Sequence, residues 1–410
     1  MLLLSHPTGN ANVRGAISAL EQAEKLALYQ TTVAVHKSDW YLKLLPSAVK
    51  QELLRRTYPL PRFKINQHPF RELARLVSLK IGLQFLIKHE TGWASIDSVY
   101  GNLDRVLAKQ LTAYSRKYQI AGVYCYEDAA IHTFEVAKKL GLTCFYDLPI
   151  GYWKMGQIIQ QEEAELNPEW SSTLQANFDS ADKLARKDIE LQMSDVILVA
   201  SSFTRQTLQL APNFKAPVVC IPYGAPCRRP DVVCPKLSGN KLKVLFVGSL
   251  SQRKGISYLL DAVKQLGDRA ELTLIGRFNQ LCSPLEQALS THRWIASLPH
   301  QQVLQEMSRH DVLVFPSLFE GFGLVILEAM AQGLPVITTP HTAGPDIITD
   351  DEDGFIVPIR SAEAIAQKLN LLASNRKLLL EMSQAAVRKA SRYTWDRYGK
   401  CLVETIQNYV

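Results

Sequence analysis

Two carboxylates stand in one short stretch, FEGFGLVILEAM, Phe319 to Met330. Glu320 precedes a glycine turn, and Glu328 sits among Leu324, Val325, Ile326, Leu327, Ala329 and Met330 with almost no hydrophilic neighbour along the chain. A buried unpaired charge is costly, so something must compensate Glu328: a ligand hydroxyl, or a core arginine. The spacing puts the two acids on the order of 10 Å apart at the helical rise per residue. An acid and nucleophile that share one glycosidic bond stand at about half that distance. The pair suits an elongated ligand instead: a sugar linked through a diphosphate to a ribose, with hydroxyls near both acids. The phosphates would lie at the turn. There DVLVFPS reads as a strand, LFEGFG as a loop and LVILEAMAQ as a helix with Gly333 at its end. A loop at a strand's carboxyl end and a helix's start presents free N–H groups and a positive dipole end to an anion. Gly321 and Gly323, with no Cβ, let the backbone of Gly321, Phe322, Gly323 and Leu324 come close to it.

A second cluster has the same character. FVGSLSQRKGISYLLDAV runs from a strand through Ser249, Arg253 and Lys254 into a helix starting near Gly255. Two adjacent cations at a strand end can neutralise a diphosphate and stabilise its growing charge as it leaves; alone they would read as a solvated pair. The first strand of the chain ends at HPTGNANV, where Gly9 offers a close approach from the other half, although Gly9 and Gly15 make no dinucleotide fingerprint.

The elements that must position these residues alternate. KVLFVGSL, ELTLIG, WIASL, DVLVFPS, PVITTP and FIVPI read as strands, with helices near 255 to 266, 283 to 293, 302 to 309, 324 to 332 and 361 to 373. In the first half LLLSHP, TTVAV, AGVYCY, LTCFYDL, DVILVAS and APVVCIPYG read as strands, with helices over 13 to 28, 128 to 140 and 203 to 210. Unbroken apolar strands separated by helices predict parallel sheets covered on both faces, and 410 residues exceed one ordinary core. The expectation is an α/β protein of two Rossmann-like domains with a cleft between them, residues 1–230 and 237–394, followed by a helix over 395–410 opened by Thr394. The Pro/Arg/Gly-rich segment 225–240 reads as the linker, and ligands of such sheets lie at the carboxyl ends of the strands. Residues 36–100 fit the rhythm least.

That stretch carries the charge. Between His36 and Glu90 stand eleven Lys/Arg and four acids, a surplus of seven that equals the net charge of the whole chain. Trp40, Tyr41, Leu44, Phe63 and Phe70 are interleaved with them. The mixture suits a solvated basic face or peripheral contact with an anionic membrane. No nucleic-acid-binding pattern accompanies it. Seven scattered cysteines form no secreted disulfide framework, and Cys220, Cys227 and Cys234 are too widely spaced for a structural zinc pair, so no metal and no cofactor are expected. The apolar start Met1 to Leu4 is too short for a signal-peptide core. A cytoplasmic protein is expected, at most peripheral to the inner face of a membrane.

EGFGLVILE, followed by EAMAQGLPVITT and DGFIVP and preceded by FVGSLSQRKG, LTLIGR and DVLVFPS, resembles the signature of family-4-type glycosyltransferases, retaining enzymes of the GT-B fold. The resemblance covers about 237 to 398; SDVILVASSFTRQTL and VVCIPYG extend it more loosely into the first half. It implies that Glu320 contacts the transferred sugar and Glu328 the donor ribose. Arg253 and Lys254 would hold the diphosphate with the backbone of Gly321 to Leu324, and Gly9 would face it; residues 237–394 would bind the nucleotide sugar, residues 1–230 would form the acceptor side, and the helix over 395–410 would return to the first domain. It implies metal-independent transfer of a hexosyl group from a UDP- or GDP-sugar to a hydroxyl of a glycan, lipid or small molecule, with retention. Three departures stand out: Gly248-Ser249 where the family has Gly-Arg, Tyr146-Asp147 where many members have a histidine at a strand end, and AGPDI for GGxPE. The alternative reading is a nucleotide-sugar-binding homologue without transfer activity, serving as a partner subunit. Epimerisation or phosphorolysis would keep the fold, but no lysine-cofactor signature supports the latter.

Overall fold

The structure, a computed structural model, describes residues 1–175, 178–226 and 241–410. In the first strand, β1 (Leu2–Ser5), Leu2 and Leu4 enter one apolar cluster and Leu3 enters another. That period-two division is what a strand covered on both faces requires. Six more strands join it: β2 (Leu26–Thr31), β3 (Ile65–Gln67), β4 (Gly122–Tyr126), β5 (Thr143–Asp147), β6 (Val196–Val199) and β7 (Val218–Cys220). They form one parallel sheet in the order 3-2-1-4-5-6-7. A second parallel sheet holds β8 (Leu242–Val247), β9 (Ala270–Ile275), β10 (Arg293–Ile295), β11 (Val312–Phe315), β12 (Val336–Thr338) and β13 (Gly354–Ile356), in the order 10-9-8-11-12-13. Both reverse their strand order beside the first strand of the sheet, where doubly wound folds bind ligands.

Three readings of the first half are corrected. The helix expected over 13 to 28 is Ala11–Gln22, opened by Asn10, whose side chain accepts from the Val13 N–H at 3.1 Å. The apolar residues after it belong to β2, and TTVAV contributes only Thr31 to a strand. A continuous buried run, LALYQT, carries no periodicity that separates helix from strand. Residues 36–100 are also less foreign than their pattern: Ile65–Gln67 pairs in parallel with Tyr29–Thr31 and forms the sheet's edge, but three residues are too few to announce a strand. Residues 227–240, which include most of the expected linker, the expected limits 230 and 237, Cys227 and Cys234, lie outside the described residues.

The helix Trp395–Gln407 closes the fold. Thr394 caps it, accepting from the Arg397 N–H at 3.1 Å, and Tyr398, Leu402 and Ile406 are buried. It packs on Ala11–Gln22 in the first domain, with the Trp395 ring over Gly15 and Ala19 against Gly399. Among the described residues no helix is long and apolar enough to cross a membrane.

Between the sheets the central contact is a carboxylate. Glu163, fully buried in the helix Trp153–Leu166, accepts hydrogen bonds from Asn167 at 2.7 Å, and from Gln252 (2.7 Å), Tyr258 (2.8 Å) and Arg360 (2.8 Å) of the second domain. Removing one partner of such a buried group strands the others. Glu163→Ala should lower stability by about 3–5 kcal/mol in urea unfolding; a loss below about 1 kcal/mol, the range of surface pairs, would show that this carboxylate does not hold the domains.

Candidate active site

β11 ends at Phe315, and the loop Pro316–Gly323 leads into the helix Leu324–Ala331. The loop after β8 turns at Gly255, whose φ of +68° is left-handed and whose missing Cβ makes room for the Pro316 carbonyl. The two loops are then stitched by the Leu318 N–H, which donates to the Arg253 carbonyl at 2.9 Å. This brings Glu320 onto Lys254, 66 positions earlier in the chain, and onto its neighbour Arg253. Lys254 Nζ contacts Glu320 Oε2, and the Arg253 guanidinium lies 3.6 Å from the same oxygen while donating to the Phe319 carbonyl at 2.6 Å.

The electrostatics favour an anion. Burial lowers the Lys254 ammonium well below its ordinary value, and the neighbouring Arg253 charge adds to this; the Glu320 carboxylate in contact opposes both. Burial also lowers the Arg253 guanidinium. Two cations share one carboxylate here. The N–H groups of Gly323, Leu324 and Val325, at the start of the helix, have no acceptor within the described residues. Surplus positive charge and free donors meet at one strand end, as an anion site needs.

Other expected site residues fall differently. Gly321 is approached from the first domain by the carbonyl of Pro149, which occupies the space of the missing Cβ, and its own carbonyl accepts from Ser201 and from Thr204, the latter at 3.0 Å. Its lack of a side chain therefore serves domain contact. Phe322 is buried against Tyr223, ring centroids 5.0 Å apart. Gly323, φ +81°, is the N-cap of the helix. Glu328 is only half-buried, and its partner is His300, whose Nε2 lies 2.7 Å from Oε1; the carboxylate raises the His300 pKa. A histidine, neither a core arginine nor of necessity a ribose, compensates it. Gly9 packs under the Tyr58 ring. Ser249 is exposed and lines a cavity of about 240 Å³ between the domains with Arg253, Gln160, Thr173, Asn279 and Phe319. Wider hollows exist, between Ala11–Gln22 and the C-terminal helix and beside Lys243 and His310, but neither gathers the carboxyl ends of strands.

At the facing strand ends sequence reasoning named Gly9 and, as a departure, Tyr146-Asp147, but passed over His6 and Ser5. His6 follows β1, fully buried, its Nδ1 accepting from the Thr8 N–H at 3.0 Å; burial pushes its pKa down to about 3. Asp147 ends β5, and burial pushes its carboxyl up to about 7 against a hydrogen bond from Tyr124. His6 Nε2, Asp147 Oδ2 and Ser5 Oγ are buried without a partner in the protein, and buried polar atoms are ordinarily paired. The rule that singled out Gly9 applied equally to His6 three residues earlier. Tyr146 points into the core, its hydroxyl 3.3 Å from Glu190. The acidic run Asp350, Asp351, Glu352 and Asp353 forms the turn before β13: Asp350 accepts from the Ile356 N–H and Asp353 from the Thr349 N–H, both at 2.9 Å.

Asp147 gives a pH signature. Its folded pKa exceeds the ordinary carboxylate value, so the native state holds a proton that the unfolded chain releases, and stability falls as pH rises from about 4 to about 7. Asp147→Asn should remove this fall and be about 2–4 kcal/mol more stable than wild type at pH 8 in urea unfolding. Equal pH profiles for the two proteins would contradict the assignment.

Comparison with known proteins finds similarity in the second half of the sequence and in the fold. Residues 235–389 match the family described as Glycosyl transferases group 1. A sucrose synthase of Acidithiobacillus caldus is 40% identical over 121 residues, which are 27% of this chain and 15% of that protein. The match is thus to a fraction of that relative's length. Two solved structures match nearly end to end at low identity, a likeness of fold. Sucrose-phosphate synthase from Thermosynechococcus elongatus has a TM-score of 0.69 at 16% identity, covering 99% of this chain and 98% of that one. Anabaena HepE in complex with UDP-glucose has 0.63 at 15%, covering 99% of each. Residues 235–389 are similar to the glycosyl transferases group 1 family, and the chain as a whole shares with these solved structures the GT-B fold of two Rossmann-like domains.

Proposed function

We propose that the chain transfers a hexosyl group from a nucleotide diphosphate sugar to an acceptor hydroxyl, with retention at the anomeric carbon and without a metal. The observation that carries this reading is the meeting of Arg253, Lys254 and Glu320 beside the unpaired N–H groups of Gly323 and Leu324. The two cations and the helix start take the diphosphate, the role a divalent ion plays elsewhere. Glu320, next to them, accepts hydrogen bonds from the sugar. Glu328 takes the ribose in exchange for His300. The bond from the anomeric carbon to the phosphate oxygen breaks as the acceptor oxygen bonds to the same face. The acceptor's proton passes to the departing phosphate, whose charge Arg253 and Lys254 stabilise.

His6, Asp147 and Ser5, with unpaired polar atoms at the opposite strand ends, form the acceptor side. UDP is the first nucleotide to try, since HepE of the same fold is seen with UDP-glucose. Five free cysteines among the described residues suit a reducing cytoplasm.

The non-catalytic alternative has its own support. The cleft cavity of about 240 Å³ lies below the range of small-molecule sites, and Asp147, already neutral below about pH 7, stands where many relatives have a histidine. Nucleotide release from UDP-glucose, GDP-mannose and UDP-N-acetylglucosamine with candidate acceptors separates the two; tight binding with no release makes the chain a partner subunit. In the active enzyme, Glu320→Gln should reduce turnover at least about 100-fold, as loss of a transition-state contact does, with nucleotide affinity retained. Arg253→Ala with Lys254→Ala should weaken UDP binding about 100-fold. Turnover should survive EDTA. Wild-type turnover in Glu320→Gln, or wild-type affinity in the double variant, would remove those residues from the site.

A further inference from the structure

The helix Phe70–Ile81 has its polarity reversed. At 100° per residue Phe70, Leu73, Val77 and Ile81 share one face, and they are 82%, 39%, 54% and 63% exposed. The residues it buries are Glu72 and Ser78. Glu72 docks the helix through Arg56 at 2.7 Å, while Arg75 of the same helix holds the carboxylate in place at 2.7 and 2.8 Å. A helix anchored through charge with its apolar stripe in water runs against the hydrophobic effect unless something covers the stripe. The patch continues beyond Gly82 into exposed Leu83 and Phe85. Trp93, 51% exposed, is tied back to the helix by Arg71, which donates to its carbonyl at 2.7 Å and lies 5.0 Å over its ring.

Charge identifies the occupant. Lys80 flanks the stripe on the helix and Lys88 follows Phe85, both exposed, as are Lys37, Lys43 and Lys50 in the preceding stretch. The four acids of 36–90 are engaged: Asp39 by Arg62, Glu52 by Arg55 and Arg56, Glu72 by Arg56 and Arg75, and Glu90 by the Ser180 N–H. Of the basic surplus Lys64 is paired outside the segment, with Glu21 at 2.6 Å, whereas Lys37, Lys43, Lys50, Lys80 and Lys88 have no ion pair among the described residues. A second copy of this face would set like charges against each other. A bilayer rich in anionic headgroups complements both parts, taking the apolar side chains into its interface and the lysines at its surface.

We infer that Phe70–Ile81, with Phe85 and Trp93, docks the chain on an anionic lipid surface. The surface is built without any group of the cleft, so its test is independent of the transfer reaction. The full chain is floated with vesicles of phosphatidylcholine alone and of phosphatidylcholine with phosphatidylglycerol, at low and high salt. Wild type should bind the anionic vesicles at low salt and lose most of that binding at high salt. The triple variant Phe70→Ser, Val77→Ser, Ile81→Ser should bind at least about 10-fold more weakly, and Lys80→Glu with Lys88→Glu similarly. The exposed positions leave the fold unchanged, which UDP binding and the melting temperature of each variant check. No binding by wild type, or equal binding by the triple variant, would overturn the inference. So would a dimer in sedimentation equilibrium that the triple variant abolishes, since a second copy would then cover the stripe.

Discussion

The Glu163 carboxylate, from which water is excluded, must take its hydrogen bonds from the protein, and three of its four donor residues come from the other domain. One of them, Gln252, immediately precedes the cations of the cleft, and its N–H donates to Thr173 of the first domain at 2.9 Å. The loop bearing Arg253 and Lys254 is thus held by the first domain before any ligand contact is considered. Phe319, one residue before Glu320, is held from the same side: it packs against Phe203 with centroids 5.9 Å apart and over Gly151 and Gly156. Both halves of the charged cluster are oriented by contacts across the domain interface, so cleft geometry and domain position are one constraint.

Within that constraint Glu320 has two roles. It neutralises part of the charge of Arg253 and Lys254, which burial would otherwise make expensive. A diphosphate offers the cations stronger, multidentate acceptors, and in the proposed reaction that exchange frees Glu320 for the sugar. His300 stands toward Glu328 in the same relation. In each case the carboxylate is paired within the protein, and the proposed ligand replaces a side chain already fitted to it.

What could be seen in the sequence was local. FEGFGLVILE and SQRKG each join a strand end to a helix start within a dozen residues, so their places in the fold and their shared anion-binding character followed from short-range rules. What could not be seen was pairing at long range. Glu163 lies some 90 positions from Gln252 and about 200 from Arg360, Pro149 meets Gly321 from another domain, and His300 reaches Glu328 from a neighbouring helix. No spacing rule connects such residues. β3 escaped for a different reason: a three-residue edge strand takes its identity from its neighbour's hydrogen bonds. The reversed helix Phe70–Ile81 was visible as a basic, aromatic stretch, but which of its faces is exposed is a property of the fold alone.

The most direct measurement is a crystal structure of the protein with UDP-glucose. The diphosphate should lie within hydrogen-bond reach, about 3 Å, of Arg253, Lys254 and the N–H groups of Gly323 and Leu324, with Lys254 parted from Glu320 and Glu320 turned to the sugar. A nucleotide bound elsewhere, with the contact between Lys254 and Glu320 intact, would contradict the assignment of this cleft.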